Sequence, residues 1–196
     1  MINIATNTVI ATIPVGTGPR GMAFTPDGTR AYIANTGGST VSVINTATNK
    51  VIATILTGTG PRDVAITPDG TRAYVTNLNS NTVAVVNTAT NTLITTIPVG
   101  NSPHGIEITP DGGSAYVANY GTGTVSVINT ATNKVIANIQ VSGIGPYDVA
   151  ITPDGTRAYI SNDVYAGSVK VINTATNTVI GASIPVGRYP LCVAIV

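Results

Sequence analysis

The octapeptide Thr25-Pro26-Asp27-Gly28-Thr29-Arg30-Ala31-Tyr32 constrains this chain more than any other feature. It returns unchanged at residues 67–74 and 152–159, and a fourth copy at 109–116 differs at two places. The copies begin 42, 42 and 43 residues apart. A chain that restarts at a fixed interval is one structural unit repeated, and the unit decides the fold.

The second unit serves as the type. Residues 61–67 are short and apolar and predict a first strand. Pro68-Asp69-Gly70 is a turn: Pro presets φ, Asp accepts local backbone bonds, and Gly takes the left-handed conformation. Residues 72–77, 82–87 and 93–99 predict three more strands, separated by polar turns at 78–81 and 87–91. β-branched residues dominate, and no window carries apolar spacing of 3.6 over a helical length. Four short strands in a period of about 40–45 residues predict a β-propeller blade. A β-solenoid has shorter coils, and an immunoglobulin-type sandwich does not restart in this way.

The expected architecture is therefore all-β, one propeller domain over 1–196, with complete blades at about 19–57, 61–99, 103–141 and 146–186. Residues 2–15 match only a fourth, outer strand, and 189–196 match only a first, inner strand. Exposed flanks destabilise a propeller, because each blade buries its faces on its neighbours. First and fourth strands of a meander run antiparallel, so the two terminal strands are expected to pair as a two-stranded closing blade. Two chains doing this reciprocally make a C2 homodimer, the preferred expectation. One chain closing on itself is the alternative.

Composition narrows the partners. Charged residues are 9% and the net charge is +1, so the clustered Lys and Arg of a nucleic-acid surface are missing. No apolar run reaches the roughly 20 residues of a membrane helix. Residues 1–7 show neither the basic nor the apolar region of a secretion signal. The one cysteine, Cys192, excludes an intrachain disulfide and is expected as a small buried hydrophobe.

Candidate chemistry is sparse. Gly16-Thr17-Gly18-Pro19-Arg20-Gly21 spells a dinucleotide-loop pattern but leads into a predicted strand, where that site needs a helix. Asp27, Asp69, Asp111 and Asp154 each stand alone in a turn, so they are turn formers rather than a calcium loop. His104 is the only histidine. Its register holds Arg20, Arg62, Tyr147 and Leu191 in the other units, and the next register reads Gly21, Asp63, Gly105, Asp148 and Cys192. These two positions vary while their surroundings barely do. They fall where the innermost strand begins, at the mouth of the central channel. A polar ring of Arg20, Arg62, Asp63, His104, Tyr147 and Asp148 is thus a candidate site for a small ligand or a partner's loop, against the plainer reading of a solvated rim. Glu107 stands where other units have Ala23, Ala65, Ala150 and Ala194. A carboxylate there is costly unless water, a cation or a rim arginine meets it. Tyr120, Tyr165 and Tyr189 lie outside the repeat register and suit loop contacts with carbohydrate or protein. No catalytic residues, metal or cofactor are expected.

Tyr74-Val75-Thr76-Asn77 is the motif that names the YVTN family of propeller repeats, and Tyr32-Ile33-Ala34-Asn35, Tyr116-Val117-Ala118-Asn119 and Tyr159-Ile160-Ser161-Asn162 are its relatives. Over nearly its whole length the chain resembles that family, known from archaeal and bacterial surface-layer proteins and usually seven-bladed. The resemblance implies a non-catalytic structural or protein-interaction module at the cell surface or outside the cell. Three alternatives stand beside it: a small-ligand or carbohydrate-binding module using the channel mouth, a recently amplified or designed repeat with no selected ligand, and a lactonase-like hydrolase. The last requires converging carboxylates or histidines, and this chain has few.

Overall fold

A computed structural model describes residues 1–143 and 145–195. They form strands and no helix. A short hairpin comes first, β1 (Ile2–Asn3) with β2 (Thr8–Val9). Four four-stranded antiparallel sheets follow. Blade one is β3 (Pro19–Phe24), β4 (Arg30–Asn35), β5 (Thr40–Asn45) and β6 (Lys50–Leu56). Blade two is β7 (Pro61–Ile66), β8 (Arg72–Asn77), β9 (Thr82–Asn87) and β10 (Thr92–Pro98). Blade three is β11 (Pro103–Ile108), β12 (Ser114–Asn119), β13 (Thr124–Asn129) and β14 (Lys134–Gln140). Blade four is β15 (Pro146–Ile151), β16 (Arg157–Asn162), β17 (Ser168–Asn173) and β18 (Thr178–Pro185). The first strands β3, β7, β11 and β15 are neighbours in turn and line the axis. The predicted propeller meander is the observed one.

The local chemistry of the unit explains its turns. In the first turn Asp69 accepts the Thr67 hydroxyl at 2.5 Å and the Thr71 amide at 3.0 Å, and Gly70 takes φ 72°. Asp27, Asp111 and Asp154 repeat the arrangement. The third turn closes on an asparagine in the left-handed region: Asn49, Asn91, Asn133 and Asn177 all have φ of 53–56°. Asparagine tolerates that conformation better than most residues with a Cβ. The motif asparagine ties second strand to third, Asn35 Nδ2 donating to Ser42 Oγ at 2.9 Å and Asn119 Nδ2 to Ser126 Oγ at 2.8 Å.

Blades lock to one another by one repeated junction. A second-strand tyrosine reaches the third turn of the next blade. The Tyr32 hydroxyl donates to Asn91 Oδ1 at 2.8 Å, Tyr74 to Asn133 Oδ1 at 2.7 Å and Tyr116 to Asn177 Oδ1 at 2.6 Å. Arg30 and Arg72 add bonds to the carbonyls of Thr88 and Thr130. Around these bonds the side chains of adjacent sheets interdigitate. Tyr74, Val83, Val85 and Ile97 of blade two pack on Ile106, Ile108, Ala115, Val117 and Ile128 of blade three. Middle strands are therefore covered on both faces, which is how a chain with few charges uses its apolar content.

The ends depart from expectation. Residues 10–15 and 186–195 form no strand, and the two termini do not pair with each other among the described residues. Residue 196 of the expected last strand lies outside those residues. The terminal segments nevertheless sit near the places the repeat assigns them. Ile13 and Val15 pack on Ala31, Ile33 and Ile44, as a preceding fourth strand would. The Val193 amide donates to Asp148 Oδ2 at 3.1 Å, as the first strand of a fifth blade would. A strand needs a ladder partner, and each segment lacks the second or third strand that would supply one. Cys192 is for the same reason exposed rather than buried.

Candidate functional site

Each first strand begins Pro-x-x and then shifts register, between Pro19 and Met22, Pro61 and Val64, Pro103 and Ile106, and Pro146 and Asp148. Such a bulge re-aims the side chains beside it. The displaced residues meet at one end of the axis. Arg20, Gly21, Arg62, Asp63, His104, Gly105, Tyr147, Asp148, Leu191 and Cys192 line one cavity of about 560 Å³. That is within the roughly 300–1,000 Å³ usual for ligand pockets. Six of the seven residues selected from the sequence are brought together here. Glu107 is not in the wall.

His104 Nδ1 lies 2.9 Å from the Ser102 carbonyl. A ring nitrogen facing a carbonyl donates, so in the neutral ring Nε2 is left as the acceptor. Burial lowers the His104 pKa below its ordinary 6.5, and the Arg62 and Arg20 charges push the same way against the Ser102 carbonyl. The imidazole packs on Tyr147 at 4.7 Å and on Tyr120 at 5.1 Å between ring centroids. Arg62 donates to the Tyr147 hydroxyl. Tyr120 belongs with the site although sequence register set it apart. It comes from the loop after β12, and only folding places it behind His104.

The two aspartates do structural work at the rim. Asp63 Oδ1 accepts its neighbour's amide, Val64 N, at 2.9 Å, and Oδ2 accepts Ile106 N of blade three at 3.2 Å. Asp148 takes the Val193 amide in the same way. Asp63 thus staples its blade to the next first strand, and Asp148 holds the carboxy-terminal segment in the equivalent place. The alternating glycines make room: a Cβ on Gly105 would lie 2.6 Å from Asp148 Oδ1 and 2.8 Å from Asp148 Cα. Burial raises the Asp63 pKa to about 6, against the pull of its two amide donors, and burial also raises that of Asp148.

Glu107, outside that wall, is paired in register with Tyr116. Burial holds its pKa up, at about 7, partly opposed by a bond from the Ile151 backbone and reinforced by the charges of Asp148 and Asp63. No arginine among the described residues is one of the groups that shift it. Among the described residues no three His, Cys, Asp or Glu are grouped to hold a metal. The Gly16–Gly21 loop runs into β3 rather than a helix, so it presents no helix N-terminus to a phosphate. No helix among the described residues is long and apolar enough to cross a membrane.

Comparison with known proteins fits this geometry. Among curated proteins none matches the sequence. In solved structures, hydrazine synthase from Kuenenia stuttgartiensis superposes with a TM-score of 0.83 at 33% identity, covering 92% of this chain and 53% of that one. A functionally unknown protein from Desulfotomaculum acetoxidans gives 0.76 at 24% identity, over 97% of this chain and 66% of that one. The dihydro-heme d1 dehydrogenase NirN, in complex with DHE, gives 0.70 at 16% identity, over 90% and 39%, a likeness of fold alone. The chain spans about half the length of the first of these. The family profile described as "Lactonase, 7-bladed beta-propeller" matches residues 47–179, well over half the sequence. With its repeated blades and axial first strands, the chain belongs to the lactonase-type seven-bladed β-propeller family.

Proposed function

We propose that this propeller is a non-catalytic interaction module of the YVTN type, displayed at a cell surface or outside the cell, with the channel mouth as its recognition site. The observation that carries this reading is the cluster of His104, Tyr147 and Arg62 on an open cavity of about 560 Å³. Aromatic faces beside a guanidinium suit a ligand that offers the apolar C–H face of a ring together with hydroxyl groups, so a carbohydrate is the class proposed. The carboxylates nearest the cavity, Asp63 and Asp148, already accept backbone amides. That supports binding over acid–base chemistry. Titration of an immobilised panel of mono- and oligosaccharides tests the reading. His104→Ala and Tyr147→Ala should each weaken the best binder at least about tenfold, and Lys50→Ala, remote from the cavity, should not. No binder in the panel, or binding indifferent to both substitutions, overturns it.

The family match favours a second reading, a hydrolase of the lactonase type. Glu107, with its pKa at about 7, is the group that would serve as general base. Turnover of simple lactones that disappears in Glu107→Gln would establish this reading over the first.

A further inference from the structure

The octapeptide departs from itself at two places, Gly113 where blade two has Thr71 and Ser114 where it has Arg72. Ser114 lines a cavity between blades three and four. Equivalent clefts lie at the three internal junctions, between the first turn of one blade and the third turn of the next. Their volumes are about 340, 260 and 480 Å³ in chain order. In the first two, Arg30 and Arg72 stand in the wall and donate to the carbonyls of Thr88 and Thr130. Ser114 keeps the same register, opposite Asn129 as Arg72 is opposite Asn87. Its amide also bonds the first-turn threonine, at 3.0 Å against 3.1 Å for Arg72. The backbone is thus the repeat's own, and only the side chain is shorter. The third cleft is the largest of the three, and Tyr116 forms part of its wall where Tyr32 and Tyr74 form no part of theirs.

Each lost donor leaves an acceptor behind. The Thr174 carbonyl takes the Tyr116 hydroxyl at 3.3 Å and no guanidinium. Asp111 Oδ2 lacks the hydroxyl that Thr71 gives Asp69 Oδ2 at 2.9 Å. Threonine hydroxyls chiefly hold down the pKa values of the four turn aspartates. An arginine of the same blade adds to this for Asp27, Asp69 and Asp154, but not for Asp111. Burial and then the Asp111 charge push Tyr116 up to about 12, with no arginine to oppose them as Arg30 and Arg72 do at Tyr32 and Tyr74.

We propose that this third cleft binds a guanidinium group brought by a second molecule, in the place that Arg30 and Arg72 fill at the sister junctions. One N–H of the ligand donates to the Thr174 carbonyl, as Arg72 donates to that of Thr130 at 2.6 Å. The planar fork has further donors for the carboxylate of Asp111, which shares the wall with Thr174. An ammonium is a compact point charge and serves such separated acceptors less well. Pro110, Asp111, Asp154 and Ala175 in the wall are exposed, so the cleft opens to solvent and admits the stem of the ligand. That ligand is an arginine side chain of a peptide or a free guanidino compound. The first strand runs from the channel mouth at Pro103 to the turn at Thr109, so this site lies on the opposite face from the mouth and does not depend on what binds there.

Chemical-shift titration of the full chain with methylguanidinium, methylammonium and a blocked Gly-Arg-Gly tripeptide tests this. Methylguanidinium should move the amides of Ser114, Tyr116 and Thr174 along one saturating curve, at least about tenfold tighter than methylammonium. A tripeptide that binds more tightly than methylguanidinium marks a peptide as the source; equal or weaker binding marks a free compound. Ser114→Arg restores the repeat and fills the cleft from within. It should keep the parent's circular dichroism and weaken binding at least about tenfold. Thr71→Gly with Arg72→Ser copies the third junction into the second, and should extend the shifts to Tyr74 and Thr130. Thr29→Gly with Arg30→Ser makes the same change at the first junction if the other pair does not fold. No saturable binding, equal binding of methylammonium, indifference to Ser114→Arg, or no new site in a folded double variant overturns the proposal.

Discussion

Glu107 occupies a position that Ala23, Ala65 and Ala150 fill in the other blades, so Glu107→Ala restores the repeat rather than breaking it. Burial is the main reason its carboxyl titrates at about 7 instead of 4.5. At about 1.36 kcal/mol per pH unit, that rise corresponds to about 3 kcal/mol against the ionised form. The side chain is only partly buried, and solvent screening reduces this to about 1–2 kcal/mol. The folded state holds the proton more tightly than the unfolded one. The penalty is therefore absent below about pH 4.5, grows as pH rises toward 7, and is complete above it. The alanine variant should melt about 2–8 °C higher than the parent at about pH 8, at about 2–4 °C per kcal/mol for a chain of this size. Near about pH 4.5 the two should melt together within about 1 °C, to the same approximation. Scanning calorimetry at the two pH values checks this. An equal gain at both, or a loss at the higher pH, would show that ionisation in a buried site is not what distinguishes this residue.

Three further perturbations follow from the junctions and turns. Tyr74→Phe removes the donor to Asn133 Oδ1 and should cost about 1–2 kcal/mol, seen as a lower urea midpoint; an unchanged midpoint would deny the hydroxyl its bridging role. Gly105→Ala drives a Cβ to 2.6 Å from Asp148 Oδ1 and 3.0 Å from the Tyr147 carbonyl; overpacking of this kind costs about 1–3 kcal/mol, and a thermal midpoint unmoved by the substitution would sink the account of the alternating glycines. Asp69→Ala strips the first turn of the acceptor for Thr67 and Thr71. Those bonds hold the Asp69 pKa below 3.8, so the stability they add is present above that pH and is lost as pH falls through the lower folded value. The melting difference between parent and variant should shrink on acidification, and a difference that grows instead would contradict the assignment.

The fold was legible because its determinants are local and repeated. Pro68-Asp69-Gly70 makes its own turn, Asn91 its own left-handed closure, and the β-branched runs between them have few alternatives to extended backbone. The channel mouth was legible in part for the same reason. Residues in equivalent registers of a cyclic repeat converge on the axis, so Arg20, Arg62, His104 and Tyr147 could be grouped without coordinates. Register could not show that Asp63 and Asp148 spend their oxygens on the next blade's amides. Nor could it show that Tyr120 packs on His104, or that Glu107 stays out of the cavity wall.

The sequence by itself determined the strand, the turn and the blade, since each depends on contacts within about a dozen residues. Tertiary structure alone decided what those blades leave exposed. Cys192 is bare and Met22 and Phe24 are uncovered because their partners belong to a neighbouring blade, not to their own. Desolvation and hydrogen-bond satisfaction are properties of an assembled surface, and no stretch of a single repeat contains them.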